Sequence, residues 1–518
     1  MKIRPDRHQA INMTNKNARN RTRVLFFIAL SSFLYLFANI PDREDLDNLY
    51  KMAQFSSLVS LLDRAEFENL SIQDKFTYIE CLARSARRGT AEKLLQKTMR
   101  DFAPSCLAHT TAGIVFTSLG RFAEAESHLE LALRMDPESH KARMAMMMLD
   151  LYVQRYRQAQ QTLEKSLKGS PDWGDSYILH LLGMEVYGAT GNTKKIAALY
   201  ENQAGKYRKI DDGLYQDFRK NSRLFRTRVG HAAFRTQTTS ERIALPFVEP
   251  TGALNCPAVS MEIDGKPYCV LLDTGNRAGW TIHSRELEKK LKNRSGGTVL
   301  TQIGAEEEMV HGHYLLTKQI YFRNVTLQHM PGIYVPKPFP GYPEANLNPL
   351  AIKDRVVTMD FIHNELVLRT KDRFHDDLDR ASARAEKLVS LPWYGYEQAF
   401  IPVMVNNEHR ALAMIETGAE DITINLDFAQ RSGLALELAT KYLQTGKELS
   451  YHLTPIRMDI GHLRIRREET TVWFLEKMAD LLSGFMPDVL LGPDFFKERF
   501  VLTFDPFQKI IIISEMSF

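Results

Sequence analysis

A chain of 518 residues, 44% hydrophobic and 25% charged, has a globular composition and is long enough for about three domains at roughly 150 residues each. The net charge of +4 is small and much of the positive charge precedes Val24, so no nucleic-acid partner is expected. The cysteines Cys81, Cys106, Cys256 and Cys269 form no CxxC pair and no zinc-ligand cluster. They read as small buried hydrophobes, with Cys81–Cys106 and Cys256–Cys269 disulfides open in an oxidising compartment. No metal and no cofactor is expected.

The first element is the uncharged run Val24 to Ile40, at the short end of what spans a bilayer. Lys2, Arg4, Arg7, Lys16, Arg19, Arg21 and Arg23 precede it; Asp42, Glu44, Asp45 and Asp47 follow. That asymmetry predicts a single-pass signal anchor over 24–40, a cytoplasmic basic tail over 1–23 and an exported remainder, periplasmic in a Gram-negative source. A cleaved signal peptide and a buried core helix are the rival readings.

Residues 45–230 are helix-patterned and poor in proline. One window, counted back from Pro137, places Gly113, Phe116, the turn Gly120-Arg121-Phe122, then Ala125, Leu129 and Ala132 at packing positions. The next window repeats the frame with Tyr156, Ala159, Leu163, Ser166 and Pro171. Residues 72–103 fit with Ala91 and Leu95, and 177–203 fit only after a slip around Gly191-Asn192-Thr193. The pattern matches a tetratricopeptide repeat. It predicts an all-α solenoid whose concave face binds a protein partner, or a spacer.

From about 240 the pattern turns to short β-type runs with Gly and Pro punctuation, and it occurs twice. Leu245-Pro246-Phe247 opens the first copy and Leu391-Pro392-Trp393 the second. Each continues with a strand, a turn (Asp264-Gly265-Lys266; Asn406-Asn407-Glu408) and a second strand. These end in Asp273-Thr274-Gly275 and Glu416-Thr417-Gly418. At the far ends, Met359-Asp360-Phe361 before Leu366-Val367-Leu368 is matched with Pro493-Asp494-Phe495 before Phe500-Val501-Leu502. Lobes over 240–371 and 389–516 and a charged linker over 372–388 follow. Ile510–Ile513 reads as a buried last strand.

This half resembles the retropepsin-like and pepsin-like aspartic proteases, as one chain with two lobes. The resemblance implies an all-β bilobal domain with Asp273 and Glu416 as the catalytic pair. It implies that Thr274 and Thr417 cross-link the turns and that Gly275 and Gly418 permit their close approach. It also implies an apolar-apolar-Gly element behind each turn. Leu490-Leu491-Gly492 supplies it in the second lobe, and Val356-Val357-Thr358 stands at the matching place in the first. Flaps are expected near Gly304 and Gly446–Tyr451.

Two carboxyls about 3 Å apart cannot both ionise, so one keeps a proton while the other activates water. Three features count against cleavage. Glu416 is longer than Asp, and a misplacement of about 1 Å can cost about a hundredfold. Asn276 stands where a small residue is usual, and Thr358 where a glycine is usual. Glu420 and Asp421 read as solvated charges. His311 and His313 read as an exposed flap strand, Ser295-Gly296-Gly297 as a turn, and Trp280 and Trp393 as packing residues.

Together these residues predict a membrane-anchored aspartic endopeptidase taking a peptide or protein in the interlobe cleft. The alternatives are an inactive protease-fold module that binds peptides or partners, and a scaffold acting through the helical arm.

Overall fold

A computed structural model describes residues 43–515, except 170–176, 209–211, 230–234, 239, 250–255, 303–308, 324, 338–341, 376–386, 396, 420, 443–447, 474, 476–482 and 498. The run Val24–Ile40 and the tail before it lie outside the described residues, as do Pro171, Gly304, Glu420, Gly446 and most of the expected linker. No described helix is long and apolar enough to cross a membrane. The expectation of a single-pass, exported membrane protein is therefore not supported.

The N-terminal part is helical: α1 (Arg43–Lys51), α2 (Phe55–Leu62), α3 (Ile72–Arg84), α4 (Arg88–Asp101), α5 (Cys106–Ser118), α6 (Phe122–Met135), α7 (His140–Tyr152), α8 (Tyr156–Gly169), α9 (Tyr177–Ala189), α10 (Thr193–Tyr207) and α11 (Asp212–Val229). Side-chain caps start four of them: Ser71, Ser105, Ser139 and Asn192 each accept the N–H three residues on. Left-handed residues at Ala86, Gly120 and Gln154 then turn the chain into the next helix. Close packing inside the pairs follows from small residues. A Cβ at Gly113 would lie 2.4 Å from Leu129, and Ala91, Ala125 and Ala159 are fully buried.

The helices do not stand apart as an all-α solenoid. Their core continues into the C-terminal half through Phe400, Leu412, Met414, Phe485 and Leu490. The expected division into a tetratricopeptide arm and an all-β domain is corrected to a mixed architecture, a helical layer packed on sheet. The reason is that lobe two packs on the helix ends and the turns between them, which the helical pattern leaves unassigned. Gly484 lies against the Ala83 carbonyl, and Phe485 packs among Phe122, Tyr152 and Phe400.

The strands are β1 (Arg235–Gln237), β2 (Arg242–Val248), β3 (Ala258–Ile263), β4 (Lys266–Leu272), β5 (Trp280–Ile282), β6 (Lys292–Gln302), β7 (Met309–Phe322), β8 (Val325–Tyr334), β9 (Ala345–Leu347), β10 (Val356–Asp360) and β11 (Glu365–Arg369). They continue as β12 (Lys387–Pro392), β13 (Ala399–Val405), β14 (His409–Ile415), β15 (Thr423–Asn425), β16 (Glu437–Tyr442), β17 (Glu448–Ile460), β18 (Leu463–Trp473), β19 (Val489–Leu491), β20 (Phe500–Asp505) and β21 (Ile510–Glu515). The strand order β3-β4-β9-β5-β8-β7-β6 recurs as β13-β14-β19-β15-β18-β17-β16. We call the two units lobe one and lobe two.

A ribbon ordered β2-β11-β10-β20-β21-β12 joins them. At its centre β10 pairs antiparallel with β20, Val357 opposite Phe504. Asp360 and Asp505 occupy matching hairpin turns, each accepting two backbone N–H groups through Oδ1. The end-matching read from sequence is thus out of step. The counterpart of Met359-Asp360-Phe361 is Phe504-Asp505-Pro506, whereas Pro493-Asp494-Phe495 begins a short helix. Ser295-Gly296-Gly297 is not a turn but an irregularity in β6. There the Gly297 N–H donates to Asn221 of α11 at 2.6 Å.

Candidate functional site

Each carboxyl residue follows a buried strand and is held by a second strand running parallel to it. In lobe one β4 pairs with β9, Leu272 opposite Leu347, and the Asp273 N–H donates to the Leu347 carbonyl at 2.9 Å. In lobe two β14 pairs with β19, Ile415 opposite Leu491, and the Glu416 N–H donates to the Leu491 carbonyl at 3.0 Å. The element behind the first turn is therefore Ala345-Asn346-Leu347-Asn348, not Val356-Val357-Thr358. Thr358 sits in β10, where its hydroxyl meets Thr503 at 2.9 Å, so it does not crowd the turn. The signal for the correct element was Asn348-Pro349, the counterpart of Gly492-Pro493.

Asn348 does with its side chain what Gly492 leaves undone. Its Nδ2 donates to the carbonyls of Glu397 at 2.7 Å and Asn276 at 3.1 Å, and its Oδ1 accepts the Leu350 N–H at 2.9 Å. Asn276 is absorbed in the same framework: its Oδ1 accepts from the Ala278 N–H and the Thr281 hydroxyl.

The two turns are locked by a reciprocal pair of threonines. The Thr274 N–H donates to Thr417 Oγ1 and the Thr417 N–H to Thr274 Oγ1, both at 3.0 Å. Thr274 Oγ1 donates to the Ile415 carbonyl and Thr417 Oγ1 to the Leu272 carbonyl, both at 2.7 Å. Both threonines are fully buried, so every polar atom of the cross-link is satisfied inside the protein.

The lock brings Asp273 and Glu416 together, each lying over the other turn's glycine. A Cβ added to Gly418 would meet Asp273 Oδ1 at 2.8 Å, and one added to Gly275 would meet Glu416 Oε2 at 1.6 Å. Glycine is required at 275 because the longer glutamate reaches across. Each carboxyl also accepts the glycine N–H of its own turn at 3.0 Å. Asp273 has a further donor, Asn346 Nδ2, at 3.2 Å, which the sequence reading missed.

Burial raises the Asp273 carboxyl above the usual carboxylate range, partly offset by hydrogen bonds from Glu416, the Gly275 and Asn276 N–H groups and Asn346. Burial, the Asp273 charge and the hydrogen bond to it push Glu416 well above that range. Both carboxyls are thus raised, Glu416 the more strongly, so Glu416 is the favoured holder of a proton that the pair shares. Asp273, Gly275, Gly418 and Ala419 are half-buried and Glu416 is buried, so Asp273 is the member of the pair that reaches the surface.

Other singled-out residues lie elsewhere. Trp280 is fully buried in the lobe-one core and does not line the site. Trp393 donates to the Gln398 carbonyl, and Gln398 Nε2 in turn lies 3.5 Å from the Gly275 carbonyl. His311 is exposed, and His313 faces Glu288 at 3.0 Å. All four cysteines are free thiols.

No protein-family model matches the chain, and no curated protein matches it. Among solved structures it is similar to conglutin gamma, a basic 7S globulin from lupine seeds, at 10% identity and a TM-score of 0.33, covering 54% of this chain and 96% of that one. It is also similar to the basic 7S globulin from soybean, at 12% identity and a TM-score of 0.31, covering 53% and 96%. Likeness this weak carries no argument about the site. The assignment to retropepsin-like or pepsin-like proteases with tetratricopeptide repeats is corrected: no family model supports either part of it. With it goes the reading as a membrane-anchored aspartic endopeptidase, for which neither the comparisons nor the described helices give evidence.

Proposed function

We propose that Asp273 and Glu416 act as one acid–base carboxyl pair that binds an uncharged polar group at the junction of the lobes. The peptide group of an extended polypeptide segment is the ligand that fits. The observation carrying this reading is the crossed placement of the carboxyls over Gly418 and Gly275, which puts an acceptor and a donor side by side. A peptide group offers the complementary N–H and C=O. Thr274, Gly275, Thr417 and Gly418 hold that spacing, and the half-burial of Asp273 and Gly418 gives the ligand access. The reading is one of binding and requires no turnover. A protein partner of the helical layer would meet the face turned away from Phe485, since the facing side is filled.

The test is binding of an extended-peptide library to the full chain, followed by fluorescence anisotropy over about pH 3.5–7.5, the span of a shared-proton carboxyl pair. Binding should be strongest where the pair holds one proton and should weaken in both Asp273→Asn and Glu416→Gln. Equal binding by both variants and the wild type at every pH would sink the proposal.

A further inference from the structure

The turns are nearly symmetric, and one side chain breaks the symmetry. Both carboxyls accept a glycine N–H at 3.0 Å, but among the described residues only Asp273 is also met by a side-chain amide, Asn346 Nδ2. Asn346 stands opposite Leu271 as Leu490 stands opposite Met414, and the leucine has no donor. Asn346 is 5% exposed. Its backbone is fixed on both sides, by β4 and by Thr281 of β5, and its carbonyl accepts from Asn276 Nδ2 at 3.3 Å. Its amide is also gripped from behind. The Tyr342 hydroxyl accepts from the same nitrogen at 3.3 Å, and the Tyr342 ring stands edge-on against His283. His283 is itself buried, with Nδ1 3.0 Å from the Val335 carbonyl.

We propose that Asn346 is a positioning residue that assigns the shared proton, its amide holding Asp273 as the ionised member and leaving Glu416 as the protonated one. The inference rests on the acid–base reading of the pair. An N–H donor favours the charged form of the carboxylate it touches, and such charge-assisted bonds are among the stronger ones. Where two carboxyls share one proton, stabilising one ionised form moves the proton to the other. The assignment gives a bound peptide group a direction: on binding, the Glu416 proton turns from Asp273 to the peptide carbonyl oxygen, and Asp273 accepts from the peptide N–H.

The test uses the full chain carrying carbon-13 at the Asp and Glu side-chain carboxyls, titrated by NMR, with Asp273→Asn and Glu416→Gln identifying the two resonances. In the one-proton state the wild type should show Glu416 protonated and Asp273 ionised. Asn346→Leu installs the lobe-two residue with the same side-chain branching and should raise the share of the proton on Asp273 about tenfold, the effect of one hydrogen bond to a charged group. Tyr342→Phe frees the amide and should give a smaller shift in the same direction. It decides the matter should the leucine variant fail to fold. A proton that stays on Glu416 in the folded variants overturns the role of Asn346 alone. Wild-type carboxyls titrating independently, both in the ordinary range, overturn the acid–base reading itself.

Discussion

The carboxyl turn of lobe two leans on the helices, whereas that of lobe one is propped by its own polar side chains. Behind the glutamate turn stands Val489-Leu490-Leu491-Gly492, and Leu490 and Met414 belong to the helical core. Behind the aspartate turn stand Asn346 and Asn348, which hydrogen-bond Asp273 and the carbonyls around it. The same strand order thus yields one turn fixed by apolar packing against another layer and one fixed by directional bonds from its own asparagines, one of which reaches the Glu397 carbonyl of the other lobe. A packed turn tolerates the longer Glu416 so long as there is space ahead of it, and Gly275 supplies that space.

The largest effect should come from removing the link between helices and lobe two. Arg88 is fully buried and bridges Asp427 at 3.1 Å, Asp488 at 3.3 Å and the carbonyls of Ser118 and Met486. Burial lowers its basicity while the two aspartates oppose the drop. Arg88→Met leaves Asp488 less compensated in the interior, and breaking such a pair costs about 3–5 kcal/mol. Urea unfolding followed by circular dichroism should show the helices melting first, with lobe one little affected.

Next in size is the glycine comparison. Gly275→Ala pushes a methyl group into the Glu416 carboxyl and should cost about 1–3 kcal/mol, as overpacking does. Gly418→Ala, whose Cβ would stand 2.8 Å rather than 1.6 Å from the facing carboxyl oxygen, should cost less. Adding Glu416→Asp should rescue the first alanine and not the second. Equal melting temperatures for the two single variants would show that the extra methylene is not what fills the space over Gly275.

Asn348→Gly makes lobe one resemble lobe two and removes four side-chain hydrogen bonds, to the carbonyls of Thr274, Asn276 and Glu397 and from the Leu350 N–H. A loss of about 1–2 kcal/mol is expected, near the net value of one or two such bonds, read as a lowered melting temperature.

The last comparison is with pH. A carboxyl whose folded value is raised binds its proton more tightly folded than unfolded. Its stabilising contribution is complete below the unfolded value, 4.5 for Glu416, and is lost as pH climbs toward the raised folded value. Glu416→Gln carries no such dependence. Its melting temperature relative to wild type should therefore rise with pH above about 4.5; parallel curves for the two proteins would contradict the raised value.

The carboxyl turns were legible in the sequence because they are local: three residues after an apolar strand carry both the geometry and the chemistry. The element behind the first turn was not, because it lies 73 residues on from Asp273 and places asparagine where its counterpart has leucine and glycine. Val356-Val357-Thr358 looked more like the expected apolar pair, and only the strand pairing separates the two. Arg88 was invisible for a related reason. Its aspartates lie 339 and 400 positions away, and a lone arginine in a helix reads as a solvated charge. The helical periodicity was clear, but periodicity says nothing about what covers a face. The shared core depends on Phe485 and Leu412, which no helix pattern includes.

The ribbon that joins the lobes has a bearing on synthesis. β20, which pairs with lobe one through β10, and β21, which closes β12, are the last described strands to be made. Domains tend to fold from the N-terminal side as the chain emerges. A nascent chain extended only as far as Arg369 already holds Asp273 and Asn346, but the aspartate turn then has neither Thr417 nor Glu416 to face. The site is thus assembled late, and until Phe504 and Ile511 leave the ribosome the apolar edge of β10 is a place where a chaperone, or another copy of the chain, has something to bind.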